Sequence, residues 1–173
     1  MQLVQGLNLR RFVKEQGAQP DYVVNEWALQ LGEILKYLHS LKPPVMHRDF
    51  TPDNLVIEEN GQLTLIDFGA SILFLGTVTG TMIGKSSYMP VEQFKGRATL
   101  KSDIYALGGT LYFLLTGADP EPFEQSNPLK IKNVNNDLAK LISQCTEIDQ
   151  NNRPDILEFI SLAKSLNIPR LKS

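Results

Sequence analysis

Three oxygen-bearing side chains at definite spacing carry the chemistry of this sequence. Asp49 and Asn54 lie in His47-Arg48-Asp49-Phe50-Thr51-Pro52-Asp53-Asn54, and Asp67 opens Asp67-Phe68-Gly69 after a short apolar run. One carboxylate able to accept a hydrogen bond from an acceptor hydroxyl, with two hard oxygen ligands for Mg²⁺, is the set that phosphoryl transfer uses, because the metal offsets the negative charge of the phosphates. H-x-D-x-x-x-x-N or D-F-G alone is a weak signal. The two in this order, separated by a hairpin pattern, form a strong one.

The elements around these residues follow from local pattern. Pro52 within the first segment, and β-type runs at Val45-Met46 and Leu55-Val56-Ile57 on either side, predict a loop between strands. Asn60-Gly61 marks a tight turn, so Leu63-Thr64-Leu65-Ile66 should pair with Leu55 to Ile57 and bring Asn54 and Asp67 to neighbouring strand ends. Upstream, Met1 to Val4 is a short extended run closed by Gly6, and Leu7 to Val13 begins a short helix that Gly17 and Pro20 end. A longer helix is predicted from Asp21, as cap, to about Ser40, with Val24, Trp27, Leu31, Ile34, Leu35 and Leu38 on one buried stripe. Trp27 reads as core, and His39 as a last-turn histidine favoured by the helix dipole.

Downstream, residues 70 to 90 are rich in Gly, Ser and Thr without period, the composition of a switchable surface loop. Ser102 through Thr116 is apolar nearly all round and should run through the core. Asp103 is its exception: the dipole alone accounts for a first-turn carboxylate, and a reach to fix another loop accounts for it equally. Residues 118 to 135 should be irregular. Two helices are expected to close the chain, about 137 to 146 with Leu138, Leu141, Ile142 and Cys145 inward, and about 154 to 166 with Ile156, Leu157, Phe159, Ile160 and Leu162 inward.

Bulk properties narrow the function classes. The 173 residues, 42% of them apolar, suit one globular domain. Seventeen basic against nineteen acidic residues, without a run of either sign, argue against a nucleic-acid groove or a polybasic membrane patch. Cys145 is the only cysteine, which excludes an intrachain disulfide and a multi-cysteine metal site. No apolar run approaches the roughly 18 residues of a membrane span, and the first residues lack a signal-peptide pattern, so a soluble, cytoplasmic protein is expected.

With these residues in view, the sequence resembles the Hanks-type protein kinases, the eukaryotic-like serine/threonine kinases also found in bacteria. Tyr37-Leu38-His39 before His47-Arg48-Asp49, Pro90-Val91-Glu92 in place of Ala-Pro-Glu, Asp103-Ile104-Tyr105-Ala106-Leu107-Gly108 and Arg153-Pro154 carry the resemblance, in the family's order. It implies ATP and Mg²⁺ as cofactors and a protein hydroxyl as acceptor, with Asp49 as catalytic base and Asn54 and Asp67 as metal ligands. Gln2, Leu3 and Val4 would lie in the hinge that contacts adenine through its backbone, and Leu55 under the adenine. Glu92 and Arg153 would form a buried ion pair, Asp103 would brace the catalytic loop, and His47 and Phe68 would stack. Arg48 marks the subtype ordered by phosphorylation, so a phosphate on Thr77, Thr79 or Thr81 would meet its guanidinium.

Departures from the pattern are equally informative. The glycine-rich phosphate loop, the strand lysine and the helix glutamate have no counterpart, so the expected fold is mainly α with short β-hairpins, a kinase C-terminal lobe with the N-terminal β lobe missing. Alone it is expected to be a poor catalyst or none, and its partners to be a protein substrate or that lobe. Thr51 stands where serine/threonine kinases usually carry lysine, and Lys85 where their activation segment usually carries threonine, seven residues before the glutamate. The two look like an exchange in which Lys85 reaches Asp49 and the transferred phosphate from the opposite wall; the alternative is a solvated loop lysine. The competing function is a non-catalytic, kinase-like binding module. A small-molecule phosphotransferase is disfavoured by Arg48, Pro90 to Glu92 and Arg153.

Overall fold

The computed structural model describes residues 6–67 and 86–170. Gly6–Asn8 (β1), Leu55–Glu58 (β2) and Leu63–Leu65 (β3) form an antiparallel sheet in the order β1-β2-β3. Its register sets Gly6 opposite Glu58 and Leu55 opposite Leu65. The expected hairpin is thus present, with a third strand that replaces the start of the predicted first helix. That helix is Leu9–Gln16 (α1), capped by Asn8, whose side chain accepts from the Arg11 amide at 2.8 Å. Val45-Met46 is not a strand. The Val45 amide instead donates to the Leu38 carbonyl at 3.0 Å, folding the segment back on the preceding helix.

Asp21–Ser40 (α2) has the predicted bounds, and its buried positions, Val24, Trp27, Ala28, Leu31, Gly32, Leu35 and Leu38, follow the 3.6-residue period. Ile34 is only partly buried. Asp21 is not the cap. Pro20 occupies that position, and Asp21 Oδ2 accepts from the Asn135 amide at 2.6 Å, fastening α2 to a distant loop. Trp27 is core, edge-on to Phe12 with centroids 5.6 Å apart.

After the short Val91–Phe94 helix (α3) comes Leu100–Thr116 (α4), in which every residue from Ser102 to Leu115 is buried. A Thr99/Ser102 capping box starts it, and Gly117, at φ 73°, ends it in the left-handed conformation that glycine adopts without Cβ strain. The connection that follows is irregular, as expected, except for a 3₁₀ turn at Pro128–Lys130. Asn136–Cys145 (α5) and Ile156–Ser165 (α6) close the fold, α6 opening with an Asp155/Glu158 capping box. α2 packs on both α4 and α6, and α5 lies against α4 and α6, so the core is a four-helix layer with the sheet at one end.

The inward face of α6 differs from the expectation. Ile156, Phe159, Ile160 and Ala163 are buried, whereas Leu157 is 63% and Leu162 39% exposed. The two leucines lie roughly a third of a turn around the helix from the stripe, one on each side, and the small Ala163 takes the place assigned to Leu162.

Gly108 marks the closest approach of α4 to α5. A Cβ built there would lie 2.7 Å from Cys145 Cβ and 2.8 Å from Thr146 Cγ2, too near for either chain to yield by rotamer alone. Gly108→Ala should therefore destabilise the fold by about 1–3 kcal/mol, seen as a lower urea midpoint with an unchanged slope. An unchanged midpoint would mean that the two helices part freely.

Candidate functional site

The loop from His47 to Asn54 is held on α4 by one carboxylate. Asp103, 1% exposed, accepts from the His47 amide through Oδ2 at 2.9 Å and from the Arg48 amide through Oδ1 at 2.8 Å. His39, its side chain 5% exposed, donates from Nε2 to the same Oδ2 at 2.9 Å. Of the two explanations open for Asp103, the reach to another loop is the one found. The dipole explanation of His39 is corrected: its ring is buried between α2 and α4 as a partner of Asp103, a contact across 64 residues that leaves no local signal.

Immediately after these two amides Arg48 takes φ 67°, an uncommon conformation for a non-glycine residue. Gln93 of α3 donates to the Arg48 carbonyl at 2.8 Å, and Thr110 of α4 donates its hydroxyl to the Phe50 carbonyl at 3.0 Å. His47 links this loop to the next: its Nε2 bonds the Asp67 carbonyl, which can only accept, so Nε2 bears the proton. Nδ1 is then an acceptor, and it receives the Asp49 amide at 3.2 Å.

Asn54 and Asp49 are brought together. Asn54 Nδ2 donates to both the carbonyl and Oδ2 of Asp49 at 2.8 Å, which commits both amide hydrogens and leaves Asn54 Oδ1 as an acceptor. The Ile66 amide donates to the Asn54 carbonyl at 3.0 Å, extending the β2–β3 ladder so that Asp67 begins where Asn54 ends. Thr51 is buried and its amide bonds the Asp49 carbonyl at 2.9 Å, while Leu55 is wholly buried in β2. Gln2, Leu3, Val4, Phe68, Thr77, Thr79, Thr81 and Lys85 lie outside the described residues. Among the described residues no group of three or more His, Cys, Asp or Glu is arranged to hold a metal. Asn54 Oδ1 with one carboxylate nevertheless suits Mg²⁺, which takes one or two protein oxygens and fills the rest of its shell with water and phosphate.

A second buried charge fixes α3. Arg153, with a side chain wholly excluded from solvent, forks onto Glu92 through Nη1 at 2.5 Å and Nη2 at 3.2 Å. It also donates to the carbonyls of Lys101, Glu147 and Ile148, and its guanidinium lies 5.0 Å from the Tyr105 ring centroid. Ser102 Oγ adds a bond to Glu92 Oε1 at 3.0 Å. Burial pushes the Glu92 carboxyl up, but the bonds from Arg153 outweigh it and hold the group below the ordinary range.

Two outcomes follow. The Glu92–Arg153 contribution should be complete above the ordinary glutamate pKa of about 4.3 and fade as pH falls through the lower folded value. Acid unfolding of Arg153→Met should lack that component, and an unaltered profile would show the pair to be energetically silent. Asp103→Asn offers one acceptor to two amides and turns an NH₂ toward donors, so it should cost about 1–3 kcal/mol and speed amide exchange at His47 and Arg48. Protected amides in that variant would refute the loop's dependence on the carboxylate.

Comparison with known proteins agrees with this geometry. The family model described as protein kinase domain matches residues 1–164. The serine/threonine-protein kinase PknA of Nostoc sp. is 38% identical over 130 residues, covering 70% of this chain and 23% of that protein. Serine/threonine-protein kinase B of Synechocystis sp. is 33% identical over 168 residues, covering 87% and 29%. The chain thus spans about a quarter of the length of these curated relatives. A crystal structure of Rad53 in complex with AMP-PNP superposes with a TM-score of 0.74 at 26% identity, over 92% of this chain and 44% of the other. By motif, fold and similarity the chain belongs to the Hanks-type protein kinase family.

Proposed function

We propose that this chain is the C-terminal catalytic lobe of a serine/threonine protein kinase, transferring the γ-phosphoryl group of ATP to a protein hydroxyl. The observation that carries this reading is the Asn54 side chain, which holds Asp49 Oδ2 with its amide hydrogens and keeps Oδ1 for another partner beside the start of Asp67. Asp49 accepts the hydrogen bond of the incoming hydroxyl and orients it for in-line attack. Asn54 and Asp67 hold Mg²⁺, which supplies positive charge beside the phosphates. The nucleotide named in the Rad53 structure, AMP-PNP, is of the class this site would take.

Adenine would rest near Leu55 and the backbone of Gln2, Leu3 and Val4. Lys85 supplies the cation that Thr51, buried and uncharged, does not. Arg48 serves as the partner of a phosphate on the segment from 77 to 87. The 173 residues contain no glycine-rich loop with its paired lysine and glutamate, so efficient transfer depends on an N-terminal lobe that supplies them. The competing reading is a non-catalytic, kinase-like binding module.

Calorimetric titration of the chain with Mg-ATP separates the two. Weak binding, abolished by Asp67→Asn, is expected of a catalytic lobe, and no heat at millimolar nucleotide would leave the module. Fused to a kinase N-terminal lobe, the chain should label a serine-rich acceptor from radiolabelled ATP. Asp49→Asn should lower that rate at least roughly 100-fold, and Lys85→Ala should lower it too; undiminished rates would overturn the assignments.

A further inference from the structure

The acidic residue next to Asn54 is claimed by an arginine 43 residues earlier in the chain. Arg10, in the first turn of α1, binds both oxygens of Asp53 through Nε at 2.8 and 3.0 Å. Its Nη1 binds both oxygens of Asp119 at 3.0 and 3.2 Å. The Arg10 amide also donates to the Pro52 carbonyl at 3.2 Å, so one residue grips the catalytic loop by main chain and side chain together. The guanidinium lies 5.0 Å from the Phe113 ring centroid and 5.9 Å from that of Tyr88. Tyr88 completes the cluster by donating its hydroxyl to Asp119 Oδ1 at 2.5 Å.

A single half-exposed ion pair would contribute little. This arrangement differs, because a rigid fork with donors on two edges bridges two carboxylates that belong to different segments. Burial lowers the Arg10 pKa, but the Asp53 and Asp119 contacts more than restore it, and burial with Asp119 pushes the Tyr88 phenol up. Arg10 therefore stays charged and Tyr88 stays a donor throughout the physiological range. The chain of bonds runs from the segment before α3, through Tyr88, Asp119 and Arg10, to Asp53, whose neighbour Asn54 holds Asp49.

We infer that Arg10 is a positioning residue that couples the segment around Tyr88 to the catalytic loop, so that displacement of either one loosens the other. The catalytic meaning of this coupling rests on the proposed phosphoryl-transfer role, but the coupling itself is a property of the unliganded chain. It separates the segment's influence on Asn54 and Asp49 from the route through Asp103, which reaches the loop at His47 and Arg48.

Hydrogen–deuterium exchange of the unliganded chain tests it, and a failure to bind Mg-ATP would leave this test intact. Arg10→Gln should raise exchange at the amides of Thr51, Asp53 and Asn54 roughly threefold or more, as a local opening, with the helical core α2, α4 and α6 unchanged. Arg10→Lys, which keeps the charge but loses the fork, should fall between. Tyr88→Phe makes no direct change to the loop, since the hydroxyl it removes bonds Asp119 and Arg10, both outside it; it should nevertheless raise exchange at the same amides. Exchange confined to residues 86 to 90 in Tyr88→Phe, or unaltered loop amides in Arg10→Gln, would overturn the inference. If Arg10→Gln melts the whole fold, Arg10→Lys and Tyr88→Phe decide the matter by the same amides.

Discussion

A carboxylate excluded from water must be fully bonded, and in this protein that requirement shapes the loop from His47 to Asn54. Asp103 sits inside α4, where desolvating a charge costs far more than any one hydrogen bond returns. It is stabilised by three donors, two of them the adjacent amides of His47 and Arg48, and Arg48 itself sits in the left-handed region. Such a conformation costs a non-glycine residue about 1–2 kcal/mol. A charge-assisted pair of bonds in low dielectric offsets it. The same carboxylate thus accounts for the buried His39 and for the fixed place of the two amides at which the loop begins.

Glu92 and Arg153 apply the same rule elsewhere. Arg153 is saturated by a carboxylate and three main-chain carbonyls, so α3 is anchored at a fixed place beside α4. Gln93, the next residue, can then reach the Arg48 carbonyl. The two ion-bonded sites therefore converge on residue 48, one through its amide and the other through its carbonyl. α4 is apolar nearly all round because α2 and α5 pack against it.

Much of this was legible in the sequence where the signal is local. The apolar period of α2 yields its bounds and the Asn60-Gly61 turn yields the hairpin, while the ion pair of Glu92 with Arg153, 61 residues apart, is implied only by the family resemblance. Readings failed where contact partners lie far apart in the chain. His39 looks like a dipole-favoured terminal residue because nothing nearby announces Asp103, and Asp21 looks like a cap because its partner is Asn135. Val45-Met46 has the composition of a strand but no neighbour to pair with among the described residues, whereas Gly6 to Asn8 finds one in β2. In α6 the heavier leucines outweighed Ala163, although helical phase, rather than size, decides which side chains face inward. Arg10 gave no signal at all, since one arginine in a short amphipathic helix is ordinarily a solvated one.

The bonds that shape residues 47 to 54 fall mostly on main-chain atoms: the amides of His47 and Arg48, and the carbonyls of Arg48, Phe50, Pro52 and Asn54. Their partners, Asp103, Gln93, Thr110, Arg10 and Ile66, all lie outside the loop. Its path is therefore set in large part from elsewhere in the chain, with the side chains of His47, Asp49, Asp53 and Asn54 adding bonds of their own. That separation lets a loop position such as 51 exchange one residue type for another while the path of the backbone survives. Evolution can then revise the chemistry of the site without having to reinvent its scaffold.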